Sequence, residues 1–116
     1  MITIYGIPAC NTMKKTFDFL QEKGIEYVFH NYKKEGISAA VLQNFIDQLG
    51  LETVLNKQGS TYRQLSDDAK ASITENSAAF SFLLEKNSAI KRPIITDGKR
   101  IIAGFNSDEL DKWLNN

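Results

Sequence analysis

Within its first 32 residues the chain changes hydrophobic period twice, and little else in it constrains the fold as much. "MITIYGI" is short and alternates around Ile2 and Ile4, which predicts a buried or half-buried strand. "GIPAC" breaks that pattern, with Gly6 and Pro8 marking a loop. From Asn11 onward Met13, Phe17 and Leu20 recur at i, i+4 and i+7, and Gly24 supplies a stop, so a helix is predicted over about 11–23. "EYVFHNY" is aromatic and β-branched, a second strand. Strand, helix and strand in so short a span imply a parallel pair joined by a right-handed crossover.

The middle of the chain reads as helical. Ser38 can cap a helix whose Val41, Leu42, Phe45, Ile46 and Leu49 form one apolar stripe ended by Gly50. "LETVL" adds a short helical turn, and "NKQGSTYR" reads as a loop. Ser66 before Asp67 and Asp68 has the form of an N-cap with the acidic first turn that a helix dipole favours. Ser77 opens a further helix carrying Phe80, Leu83 and Leu84. After "KRP" strands return: "IIT", Asp97-Gly98 and "KRIIA" predict a hairpin. Ser107, with Asp108 and Glu109, caps a last helix that buries Leu110, Trp113 and Leu114. The order is therefore βαβ, a helical insertion over about 36–90, then ββα. No composition shift marks a linker, so a single α/β domain spanning 1–116 is expected.

Bulk composition narrows the function classes. At 116 residues the chain can bury roughly 60–70% of its unfolded surface in one core. Fourteen basic residues balance fourteen acidic ones, so nothing draws the whole molecule to nucleic acid or an anionic membrane. The expectation is no direct nucleic-acid partner, no membrane and a monomer. One cysteine excludes an internal disulfide, and no secretory leader or membrane-length apolar run is visible, which points to a reducing cytoplasm. One Cys and one His exclude a metal-ligand cluster built from those residues.

That one cysteine, Cys10, lies where the first strand hands over to the first helix. A helix start presents unpaired N–H groups and the positive end of its dipole, and both favour thiolate over thiol. Lys14 follows four residues later, a spacing that places an ammonium on the same helix face. First-turn lysines oppose the dipole, so their presence makes sense beside an anion. Asn11, Thr12 and Lys14 are accordingly the thiolate- or anion-stabilising candidates of this turn. An inert buried cysteine is the competing reading. Met13 stands where a C-x-x-C motif would carry its second thiol, so a reactive Cys10 needs an outside thiol to resolve a mixed disulfide. Arg92-Pro93 has two readings as well: a turn, cis or trans, that carries an arginine to the Cys loop, or a plain strand-leading proline. His30, the single histidine, reads as a strand residue more readily than as a base. Lys14-Lys15, Lys33-Lys34 and Lys91-Arg92 read as solvated faces.

"MITIYGIPACNTMKKTFDFL", "LNKQGSTYRQL" and "IKRPIITDGKRIIAGFNSDEL" together resemble the arsenate reductase (ArsC)/Spx family, and most closely its YffB-like subgroup. The resemblance implies a thioredoxin-like fold with a mixed four-stranded sheet and a helical insertion. It implies that Cys10 is the active-site thiol, with Arg92 directed at it and Pro8 and Pro93 shaping the site, Pro93 as a cis proline. Arsenate reductases of the family grip their oxyanion with three arginines. Arg92 matches one, the second position falls on Asn56 with Lys57 beside it, and the third falls near Ala103-Gly104. Spx regulators carry a C-x-x-C switch and bind the C-terminal domain of the RNA polymerase α-subunit; Met13 removes the switch here. The expected activity is a glutathione-dependent monothiol reductase. Lys14, Lys57 and Arg92 would hold an anionic group of glutathione, and glutathione or a glutaredoxin-type protein would serve as reductant. No bound cofactor or metal is expected. A glutaredoxin-coupled arsenate reductase and a non-enzymatic Spx-like regulator are the alternatives.

Overall fold

The computed structural model describes all 116 residues. The chain opens with β1 (Ile2–Gly6), α1 (Asn11–Glu22) and β2 (Tyr27–Asn31). Six short helices follow: α2 (Tyr32–Glu35), α3 (Ala39–Leu49), α4 (Leu51–Val54), α5 (Ser60–Arg63), α6 (Asp67–Ser72) and α7 (Asn76–Glu85). A 3₁₀ turn at Asn87–Ala89 leads to β3 (Ile94–Thr96), β4 (Ile101–Ala103) and α8 (Ser107–Leu114). Two compact units result: Met1–Asn31 with Arg92–Asn116, and Tyr32–Lys91.

The first unit holds the sheet, in the order β2-β1-β3-β4. β1 and β2 are parallel, with Ile4 opposite Phe29. β3 runs antiparallel to β1, with Ile95 opposite Ile4, and β4 antiparallel to β3. This mixed sheet with its βαβ and ββα halves is the thioredoxin-like arrangement. Ile4 of β1, Ile95 of β3, Met13 and Leu20 of α1 and Leu110 of α8 form one fully buried cluster. Both helices therefore seal the same face of the sheet. Burying five such side chains contributes about 1.5–3 kcal/mol each, the main local stabilisation of the unit.

Local chemistry explains where the elements depart from expectation. The buried stripe of α1 is Met13, Thr16 and Leu20, while Phe17 stays half-buried, stacked on Tyr27 at 5.4 Å and edge-on to Phe29 at 5.1 Å. The β3–β4 connection is longer than the two-residue turn that Asp97-Gly98 suggests, because Thr96 pairs with Ile101. The Asp97 carboxylate accepts the N–H groups of Lys99 (2.9 Å) and Arg100 (2.7 Å), which folds residues 97–100 into a tight loop and delays the strand to Ile101. Asn106, one residue before the expected Ser107, caps α8 by accepting the Glu109 N–H at 3.0 Å.

In the second unit Ser38 and Ser66 cap α3 and α6 as anticipated, accepting the N–H groups of Val41 and Ala69. Ser77 does not open α7: the chain is extended at Glu75 and helical from Asn76. "STYR", expected as loop, closes one helical turn. Tyr32, Leu42, Phe45, Val54, Leu83 and Ile90 are fully buried here. Lys91 N–H donates to the Val54 carbonyl at 2.7 Å, tying the end of this unit to α4.

Candidate functional site

Cys10 is the N-cap of α1. Its backbone is extended (φ −146°, ψ 131°), its N–H donates to the Pro8 carbonyl at 3.0 Å, and its carbonyl accepts the Lys14 N–H at 3.1 Å. An N-cap side chain faces the amides of the second and third helical residues, here Thr12 and Met13. The sulfur thus occupies the place of a capping oxygen. The Cys10 side chain closes no capping hydrogen bond. A thiol is a weak acceptor, and a thiolate a far better one. Partial burial acts to raise the thiol's pKa. The amides of Met13 and Thr12, followed by the hydrogen bond and the charge of Arg92, outweigh that burial and hold it below the ordinary thiol value. Amide dipoles and one guanidinium are the physical cause, with the thiol half-exposed to an incoming substrate.

Arg92 reaches the thiol because of sheet register. Tyr5 lies opposite Ile94 in antiparallel pairing, so the end of β1, which leads into the Cys loop, sits beside the start of β3, which follows Arg92. The Arg92–Pro93 peptide bond is cis, and buried Pro93 accepts the Gly104 N–H at 2.8 Å. Pro8 stays exposed in the loop, contributing its carbonyl to the Cys10 turn.

The remaining candidates are placed differently. The Lys14 ammonium pairs with Asp18 at 2.9 Å, and its side chain is 77% exposed. The i, i+4 rule holds between two helical residues, and Cys10 lies outside the helix with an extended backbone. Asn11 is exposed at the first helical position. Lys57 belongs to the second unit, where with Leu55, Tyr62, Lys70 and Ile73 it lines a cavity of about 260 Å³. Arg100, the arginine nearest in sequence to the third family position at Ala103-Gly104, makes other contacts: Nε binds Asp97 at 2.8 Å, Nη1 donates to the Trp113 carbonyl at 2.8 Å, and the guanidinium covers the Trp113 ring. His30 packs its ring against Tyr5 at 4.8 Å. No group of three His, Cys, Asp or Glu side chains is arranged to hold a metal ion.

Two positions of the site were not singled out in the sequence. A Cβ on Gly6 would lie 2.5 Å from Met13 Sδ and 3.4 Å from Arg92 Cβ, so glycine lets α1 and Arg92 close over the strand end. Thr16, fully buried, donates its hydroxyl to the Thr12 carbonyl at 2.8 Å. A threonine at i+3 within the Met13–Leu20 stripe is the signal that could have revealed it.

With these groups placed, the likeness to known proteins becomes specific. The sequence profile of the ArsC family matches residues 5–113, which includes Cys10, Arg92 and Pro93. The chain is 38% identical to a YFFB protein of known structure, with a TM-score of 0.91 and 97% of each chain covered. An arsenate reductase (ArsC) related protein from Brucella melitensis is 35% identical, with a TM-score of 0.78, covering 99% of this chain and 95% of the other. The global transcriptional regulator Spx of Staphylococcus saprophyticus is 27% identical across 98% of this chain and 87% of its own. This chain belongs to the ArsC family.

Proposed function

We propose that the protein is a monothiol reductase that works through a Cys10 thiolate and an external thiol, glutathione or a glutaredoxin-type protein. The observation that carries this reading is the half-exposed N-cap sulfur, held toward the anion by two amides and Arg92. The thiolate attacks one sulfur of a substrate disulfide. A Cys10–substrate S–S bond forms, and the other half leaves as a thiolate. An incoming thiol then attacks the substrate-side sulfur, releases a new mixed disulfide and a proton, and restores the Cys10 thiolate. Two electrons pass from thiol to disulfide, with no second protein thiol needed. Met13 at the C-x-x-C position supports the external-thiol route. Arg92 is the group suited to an anionic substituent such as a glutathione carboxylate.

Reduction of a small disulfide by glutathione, coupled to glutathione reductase and NADPH, tests the proposal. The native protein should turn over and Cys10→Ser should not. Equal activity in the two proteins refutes the mechanism. Arsenate is a poor substrate on this reading. On the resemblance Arg92 is the one arginine at the three family positions, and Arg100 is bound to Asp97 and Trp113. Arsenate with glutathione and glutaredoxin should yield no arsenite.

Likeness to the Spx regulator over almost the whole chain favours a second reading, a regulator that binds the C-terminal domain of the RNA polymerase α-subunit. That complex should survive Cys10→Ala, and a pull-down without binding removes the option. No helix is long and apolar enough to cross a membrane.

A further inference from the structure

Thr16 is completely buried, and apart from Tyr32 with its hydroxyl it is the one completely buried residue of the chain that carries a polar side-chain group. Valine would fill the same volume without a hydroxyl to satisfy, and threonine is not a favoured helix residue. Its hydroxyl instead donates to the Thr12 carbonyl at 2.8 Å. In helix geometry that carbonyl is also the ladder acceptor for the Thr16 N–H, so it does not need the extra bond. Satisfying a stranded backbone group is therefore not the reason the hydroxyl is there.

The Thr12 carbonyl belongs to the same peptide group as the Met13 N–H, and Met13 is the third residue of the helix that Cys10 caps, so its N–H is one of the amides an N-cap side chain faces. We propose that Thr16 is a positioning residue for the Cys10 thiolate, acting through the Thr12–Met13 peptide group. A second hydrogen bond on the carbonyl oxygen polarises the peptide and makes its N–H a stronger donor, by roughly 10–30% per bond. It also fixes the plane of that peptide, so the N–H stays aimed at the cap position. Of the groups that favour the anion, the Met13 amide acts most strongly. Of the charged side chains on these elements, Arg92 acts on the sulfur and Lys14 pairs with Asp18; the first turn of α1 contains no acidic residue. The inference rests on the thiol reductase reading, since it concerns the nucleophile of that reaction.

The test is the pH midpoint of Cys10 alkylation by iodoacetamide in native protein, Thr16→Val, Thr16→Ala and Thr16→Ser, with a thermal melt of each. Removing the hydroxyl should move the midpoint up by about 0.3 pH, the scale of that fractional strengthening of a charge-assisted bond. Serine, which retains the hydroxyl, should restore the native midpoint even where its lost methyl lowers Tm. Alanine replaces valine as the reporter should valine fail to fold. A low native midpoint that valine and alanine leave unchanged overturns this inference alone, as does a serine midpoint that tracks alanine. A native midpoint at the free-thiol value overturns the reductase reading and this inference with it.

Discussion

Replacing Gly6 by alanine offers a test in which two effects of opposite sign compete. Gly6 has no positive φ, so alanine fits the backbone there. In open space the change would stabilise by about 0.4–1 kcal/mol through a less flexible unfolded chain. The added Cβ would instead meet Met13 Sδ at 2.5 Å and Cε at 2.6 Å, more than an ångström inside ordinary contact. Met13 is fully buried, so its thioether must find another path through a close-packed core. Overpacking costs about 1–3 kcal/mol, and the lower half of that range applies because a methionine end rotates easily. The clash wins, leaving a net loss of roughly 0.5–1.5 kcal/mol. With about 2.1 cal/mol/K of unfolding entropy per residue, a chain of this length loses roughly 4 °C of Tm per kcal/mol, so Tm should fall by about 2–6 °C.

A double-mutant cycle with Met13→Ala makes the argument decisive. Met13→Ala alone should cost about 2–5 kcal/mol through the cavity it leaves. In that background the Gly6→Ala methyl keeps only an ordinary contact with Arg92 Cβ at 3.4 Å, so its effect should change sign and become stabilising. Urea denaturation monitored by far-UV circular dichroism reads all four corners. A Gly6→Ala effect that is the same with and without the Met13 side chain would refute the claim that this contact demands glycine.

Arg92→Gln should raise the Cys10 alkylation midpoint. A hydrogen bond to a charged group is worth about 1.5–3 kcal/mol, and solvent exposure reduces it to roughly 1 kcal/mol, or just under one pH unit. Lys14→Ala, measured beside it, should leave the midpoint in place; an equal rise in both variants would restore Lys14 to the site. Cys10 itself links pH to stability. Its folded pKa is depressed, so the folded state binds fewer protons than the unfolded chain between the folded value and the ordinary thiol range. Stability from this source grows as pH rises through that window and is lost as pH falls through the folded pKa; Cys10→Ser should flatten that part of a urea-midpoint profile. The Arg100 and Lys99 amides, then the Arg100 guanidinium, hold the Asp97 carboxyl well below the usual carboxylate range. Its contribution is present above about pH 4 and lost in stronger acid, so Asp97→Asn should diminish the acid-side loss of stability.

Local interactions were legible from the residues alone. The caps at Ser38 and Ser66, the stops at Gly24 and Gly50, and the strand–helix–strand opening depend on groups a few positions apart, whose geometry the backbone itself dictates. The position of Cys10 at the start of α1 was readable for the same reason. Boundaries slipped where neighbours competed for one role: Asn106 displaced Ser107 as a cap, and the Asp97 carboxylate took the amides that a two-residue turn would have left to the strand. Spacing also did not show that Lys14 pairs with Asp18 one turn further along α1.

What tertiary structure alone decided is which distant groups meet. Nothing local says that β3 runs antiparallel to β1, yet that register brings Arg92 to the Cys loop. Likewise Gly6 is an ordinary loop glycine until Met13 and Arg92 close over it. Sequence sets the thiol at a helix start; long-range packing, driven by burial of Ile4, Met13, Leu20, Ile95 and Leu110, supplies the guanidinium that completes its surroundings.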